Sequence, residues 1–234
     1  MIISGPINTN AQHVISQADI IGEEWWDDWF AVPGVTCLAA YQAKGAPSYD
    51  DTKTNIADPD NYELIGGTDS PSPVDWDAST GWQFDGVLAK TLRTPLTADN
   101  VISMIYRFSG MSTTGATGAA DGVPGFVVLH NNADHFVVYN HSTAQYSSGP
   151  ETKIDTGIVA ISDRNFYIGK TLAISDMVFA GFETLGLGIG CQVTGATANI
   201  NRMIGDFAAI AFYDDAIDAN TAEFEALVDR INAL

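Results

Sequence analysis

The sequence predicts an all-β protein: an antiparallel β-sandwich of the jelly-roll kind, with a short N-terminal helix and a C-terminal amphipathic helix. Three observations carry this. Short apolar runs of period two recur along the chain, separated by clusters of Gly, Pro, Asn, Asp and Ser. A 3.6-residue periodicity appears only near the two ends. The 234 residues, 46% of them hydrophobic, suit one large core, and domains of this class reach that size without splitting.

Composition narrows the function classes. The net charge is −19, with 29 acidic residues against 10 Lys and Arg, which argues against a nucleic-acid partner, since phosphate binding needs clustered cations. The acidity reads as a solvated surface. Residues 1–9 lack a basic n-region, so no Sec signal peptide is expected. No run approaches the roughly 18 apolar residues of a membrane helix, and no membrane partner is expected. Cys37 and Cys191, in apolar strand-like runs, read as buried free thiols.

Residues 1–34 form a separate N-terminal arm and Trp-rich helix. A polar stretch (Asn8, Thr9, Asn10, Gln12) leads into the helix-start pattern Ser16-Gln17-Ala18-Asp19, after which Ile21, Trp25 and Trp29 recur every four residues until Pro33-Gly34. Two readings stand: a helix packed on its own domain, or an assembly anchor. On the second, Ile21, Trp25, Trp26, Trp29 and Phe30 are the candidate interface, because Trp-rich apolar surface is favoured at contacts between proteins.

The domain of 35–234 follows. Strands are expected over 35–41, 62–65, 81–86, 88–94 and 101–108, with 81–86 and 88–94 paired as a hairpin through Asp85-Gly86. The Gly, Thr and Ala tract of 110–122 reads as a flexible loop. Further strands are expected over 125–130, 135–140, 154–161, 166–169, 171–175, 177–182 and 185–193. The chain closes on a strand over 203–213, with Phe207, Ala209, Ala211 and Tyr213 on one face and Ala208, Ile210 and Phe212 on the other, so both faces are buried. A terminal helix then sets Phe224, Leu227, Val228, Ile231 and Leu234 on one stripe, started by the capping-box pattern of Asn220 and Glu223.

Gly81 to Gly86, the strand ending in Arg107-Phe108, Phe166-Tyr167-Ile168-Gly169, and the run from Gly205 into the terminal helix together resemble the concanavalin A-like lectin/glucanase jelly rolls, laminin-G-like domains in particular. The segment Ala40-Tyr41-Gln42-Ala43-Lys44-Gly45-Ala46 resembles small stand-alone proteins of tailed bacteriophages. That resemblance implies a virion structural protein, a capsid decoration or a fibre- or tail-associated component, released by lysis. Its partners would be other virion proteins, sister subunits in a homo-oligomer, and surface glycan.

Catalytic patterns are sparse. A retaining glycosidase needs two carboxyl groups roughly 5 to 5.5 Å apart, and the Glu-x-Asp-x-x-Glu spacing of the resembling glucanases is missing here. A non-enzymatic protein is therefore expected. His130 and His135 flank the turn Asn131-Asn132-Ala133-Asp134 without a clear third metal ligand. No cofactor is expected; calcium is the one ion whose chemistry suits Asp58-Pro59-Asp60-Asn61 and Asp75-Trp76-Asp77, residues that also make turns for local reasons. A glycan site would combine aromatic side chains with amides, for which His130, Asn131, Asn132, His135, Tyr139 and Tyr146 are the candidates. The leading expectation is the virion role; a carbohydrate-binding, lectin-like module outside a virion is the alternative, and a glycan-cleaving enzyme the third.

Overall fold

The computed structural model describes residues 25–66, 73–86, 90–111, 115–119, 126–130, 136–141, 144–147, 154–177, 185–194, 198–200 and 202–234. Strands numbered in chain order form two sheets. The first runs β13 (Thr171–Ile174), β12 (Asn165–Ile168), β11 (Gly157–Ser162), β6 (Ser103–Ser109), β17 (Ile204–Tyr213), β4 (Gly81–Asp85), β3 (Asp75–Asp77), and β1 (Cys37–Gln42) also pairs with β17. The second runs β10 (Ala144–Ser147), β9 (Phe136–His141), β8 (Phe126–His130), β7 (Gly115–Ala119), β14 (Gly186–Ile189), β5 (Leu92–Thr97), β2 (Ile65–Gly66). A side pair, β15 (Gln192–Thr194) and β16 (Ala198–Ile200), joins it through β7.

Strand β17 organises the first sheet. It pairs with β6 along one edge and, end to end along the other, with β4 at Ile204 to Phe207 and β1 at Ala209 to Tyr213. A bulge at Ala208 separates the two halves. It also corrects the expected facing, because the extra residue turns Phe207 to the same side as Ile210 and Phe212, into the core between the sheets. Phe207 stacks on Tyr106 at 4.8 Å between ring centroids and meets Phe84 edge-on at 5.8 Å. Across the core, Phe108 of the first sheet reaches Phe136 of the second. Ala209, Ala211 and Tyr213 face outward, beneath helix α1 (Thr221–Ala233). The small alanines let the helix approach and bury Phe224, Leu227, Val228 and Ile231. The Asn220 side chain caps α1 by accepting from Ala222 N at 3.1 Å.

The jelly-roll expectation, concanavalin A-like order included, is corrected by the connectivity. A jelly roll is eight strands wound as two Greek keys. Here β11-β12-β13 and β7-β8-β9-β10 are meanders, each within one sheet, and β15 lies parallel to β7. Both sheets are open, with edges at β13 and β3 and at β10 and β2. Tight hairpins dictate this: the Ser162↔Asn165 and Ile168↔Thr171 pairs close over two-residue turns, where Asp163 and Gly169 take positive φ, so consecutive strands stay in one sheet.

Three local expectations change as well. Residues 25–30 form bends and a turn in place of the expected helix. Strand β5 pairs with β14 and β2 in the second sheet, not with β4. Residues 115–119, expected as loop, form β7 inside the second sheet, where Gly118 sits opposite Gly188.

Candidate functional site

The outer face of the first sheet changes character along β17. In one row, Ala40, Ala211 and Ile105 sit side by side on β1, β17 and β6, all buried under the helical layer. Two residues further along, alternation puts Gln42, Ala209 and Arg107 side by side on the same face. The apolar cover stops there and a polar pocket of about 90 Å³ begins, lined by Lys44, Ser79, Thr80, Arg107, Phe108, Ser109, Thr156 and Ala208.

The bulge shapes this pocket. The Ala208 carbonyl oxygen accepts from both Ala43 N (2.8 Å) and Lys44 N (3.1 Å), which pins the chain leaving β1 across the end of β4. Gly45 N donates to Ala78 O at 2.7 Å, and Trp76 Nε1 to Ala43 O at 2.8 Å, drawing in the β3–β4 turn that carries Ser79 and Thr80. On the opposite wall, Gly110 N donates to Thr156 Oγ1 at 3.2 Å and holds that hydroxyl beside Ser109. Gly81 is required beneath, since a Cβ there would stand 2.0 Å from the Phe207 carbonyl oxygen.

The pocket's polar groups are poorly matched to one another. Arg107 Nη1 is buried with no hydrogen-bond partner among the described residues, and so is Oε1 of Gln42, a residue only 5% exposed. Among the described residues the ion pairs fall to Lys53, Lys90 and Lys170; neither Lys44 nor Arg107 joins one. Burial lowers the Lys44 ammonium, and the Arg107 charge lowers it further; burial likewise lowers Arg107. Asp206, opposite Ser109 and Gln83 in the sheet, has its carboxyl raised by burial and by the charge of Asp77. Asp77 is held low by hydrogen bonds from the Ser79 side chain and backbone.

A second polar cluster is self-contained. The Asp218 carboxylate accepts from Ser162 Oγ (2.5 Å), Asn165 Nδ2 (2.9 Å) and Tyr167 OH (2.6 Å), while its own N–H donates to Ser162 Oγ at 3.0 Å. Ser103 Oγ donates to Asp215 O at 2.7 Å alongside. Burial raises the Tyr167 phenol, and the carboxylate it serves adds to that. Every donor here is spent on docking the β17–α1 turn onto β11 and β12.

The residues nominated from sequence fall elsewhere. His130, Tyr139 and Tyr146 belong to β8, β9 and β10, adjacent strands at one end of the second sheet; Asn131, Asn132 and His135 lie outside the described residues. Trp29 and Phe30 are buried beneath α1, where Arg230 Nε donates to Trp29 O at 2.9 Å and Tyr213 OH to Phe30 O at 2.8 Å. Trp25 and Trp26 are half-buried and meet edge-on, and Ile21 lies outside the described residues. Asp58 accepts from Asn61, Asp75 pairs with Lys90, and Asp77 serves Ser79. No group of three or more His, Cys, Asp or Glu among the described residues is arranged to hold a metal ion. Lys44, Ser79, Thr80, Arg107, Ser109 and Thr156 were not nominated from sequence, although an arginine inside the apolar run of β6 was the visible signal.

No family model matches the sequence, and no curated protein matches it. The fold is similar to parts of glycosidases. Trypanosoma rangeli sialidase in complex with sialic acid matches with a TM-score of 0.57 at 11% identity, over 85% of this chain and 33% of that one. Domain 4 of AbnA, a GH43 extracellular arabinanase from Geobacillus stearothermophilus, in complex with arabinotriose, matches with a TM-score of 0.52 at 15% identity. That match covers 83% of this chain and 98% of the domain. A Trypanosoma rangeli sialidase mutant displaying trans-sialidase activity matches over 34% of its length, with a TM-score of 0.52 at 11% identity. The chain thus spans about a third of the sialidases it resembles.

These likenesses correct the kinship and role expected from sequence. The matched structures come from sialidases and an arabinanase, not from tailed-phage virions. The virion structural role, the virion location and the virion partners lose their basis with that kinship. So does the expectation of a non-enzymatic protein, since every one of these matches is to an enzyme or a domain of one. Among the described residues no helix is long and apolar enough to cross a membrane.

Proposed function

We propose that this chain is a glycan-recognising domain of a glycan-processing enzyme, with the pocket over the Ala208 bulge as its sugar site. One observation carries the reading: the pocket gathers the hydroxyls of Ser79, Thr80, Ser109 and Thr156 around the cations Lys44 and Arg107, and the Arg107 guanidinium leaves a buried donor unmatched. Such an unmatched donor costs stability unless a ligand or water supplies an acceptor. Sugars offer dense acceptors and donors of this kind. The likeness to an arabinanase domain in complex with arabinotriose supports the glycan-recognising role. A glycan array tests it: the protein retains a restricted set of glycans, and Thr80→Val and Ser109→Val weaken that retention. Retention of none, or retention indifferent to both substitutions, refutes it.

A second reading, cleavage beside the pocket, is favoured by two carboxyl groups at its edge, Asp206 opposite Ser109 and Asp77 bonded to Ser79. Their environments push them in opposite directions, one raised and one lowered, as an acid and an ionised partner require. Turnover of a retained glycan that is abolished by Asp206→Asn supports it; turnover that survives the substitution removes it.

A further inference from the structure

We propose that the pocket selects anionic glycans, the Arg107 guanidinium and Lys44 ammonium receiving a sugar carboxylate. The inference rests on the reading of the pocket as a glycan site and adds the class of sugar.

Charge balance is the first argument. Carboxylates outnumber Lys and Arg by 29 to 10 in this chain. Lys44 and Arg107 nevertheless line one small cavity, close enough to depress one of them through the other's charge, and no described carboxylate lies within ion-pair distance of either. Two like charges gathered in a partly buried cavity are costly when empty and are stabilised together by one anion. Three carboxyl groups adjoin the lining residues: Asp77 serves Ser79, Asp206, opposite Ser109, is raised by burial and by Asp77, and Asp155, beside Thr156, is exposed and joins no ion pair among the described residues.

Shape is the second argument. The pocket is small, about 90 Å³, and open to solvent on one side, so a carboxylate can enter it from outside. The ring itself would then lie across the rim, within reach of Ser79, Thr80, Ser109 and Thr156. A planar guanidinium suits a carboxylate because both of its oxygens can be met at once. The unmatched Gln42 Oε1, beside Arg107 across Ala209, offers an acceptor for a ligand hydroxyl on the same face.

The test is titration calorimetry with a glucuronate-bearing and a sialate-bearing trisaccharide, each against its neutral core and its methyl ester. The folded protein should bind at least one acid and lose about 10- to 100-fold in affinity for the ester, the scale of a charge-assisted hydrogen bond. Arg107→Met and, independently, Lys44→Met should produce a loss of the same size for the acid and little for any neutral sugar. Thermal melts confirm that each variant is folded. Equal affinity for acid, ester and neutral core, or full affinity in both variants, overturns the anionic selectivity while leaving a glycan site in place. Absence of binding to every sugar in the set and on the array overturns the glycan reading and this inference together.

Discussion

Gly81→Ala is the sharpest structural perturbation available at the pocket. Gly81 has φ of +106°, and a Cβ there would sit 2.0 Å from Phe207 O, 2.8 Å from Phe207 C and 3.1 Å from Ala208 Cα. An ordinary C···O approach is about 3.3 Å, so β4 and β17 must part by roughly 1.3 Å at the bulge. Forcing a side chain into that backbone region costs about 1–3 kcal/mol, and the overpacking a further 1–3 kcal/mol or so. The expected loss is therefore about 2–6 kcal/mol, equivalent to a fall in Tm of about 4 °C or more for a chain of this size. Gly34→Ala is the control: φ is also positive, +79°, but nothing lies within 4 Å, so only the backbone cost of about 1–2 kcal/mol applies. Urea denaturation with matched m-values measures both. Because the β3–β4 turn moves with Gly81, glycan affinity should fall in this variant and not in the control. A Gly81→Ala protein no less stable than Gly34→Ala would refute the account of how the bulge builds the pocket.

Asp218→Ala should cost about 1.5–3 kcal/mol for the charge-assisted bonds lost from Ser162, Asn165 and Tyr167, leaving glycan binding unchanged; loss of binding without loss of stability would make that cluster a site after all. Asp206 holds its proton more tightly folded than unfolded, so its ionisation removes stability as pH rises from the ordinary Asp range through the raised folded value. Asp206→Asn should accordingly gain stability relative to the parent as pH rises through and above the ordinary Asp range, and a difference that is flat with pH contradicts the shift. Cys191 is fully buried, with its thiol pushed up to about 12 by burial, so at about pH 8 it should resist alkylation until denaturant is added. Mass spectrometry of the native protein reads this directly.

Much of the fold was legible where local pattern decides it. The alternation of β6, the Asn220 cap and the apolar stripe of α1 all appear as the residues promise. The bulge at Ala208 was missed because both faces of this strand are apolar; its one mark in the sequence is the spacing of Phe207, Ile210 and Phe212, three residues and then two, and the partners of β17 reveal the extra residue. Strand β7 was hidden for a related reason: Gly115–Ala119 carries no β-branched apolar residue and is held by pairing with β8, β14 and β15, not by strand propensity. Hairpin logic also misplaced β5, since the neighbours in sequence belong to opposite sheets.

The candidate site was largely invisible. Its residues come from five separated segments, at Lys44, at Ser79 and Thr80, at Arg107 to Ser109, at Thr156 and at Ala208, and no spacing rule links them. Trp29 and Phe30 illustrate the converse: they attract attention in sequence, yet both are buried beneath α1.

The most direct measurement is chemical-shift mapping during titration with a carboxylated trisaccharide, using backbone amides and the Arg107 side-chain Nε resonance. The account predicts that the largest perturbations fall on Lys44, Ser79, Thr80, Arg107, Ser109 and Thr156, and that they vanish with the methyl ester. Perturbations centred instead on β8, β9 and β10, or the same map with acid and ester, would contradict it.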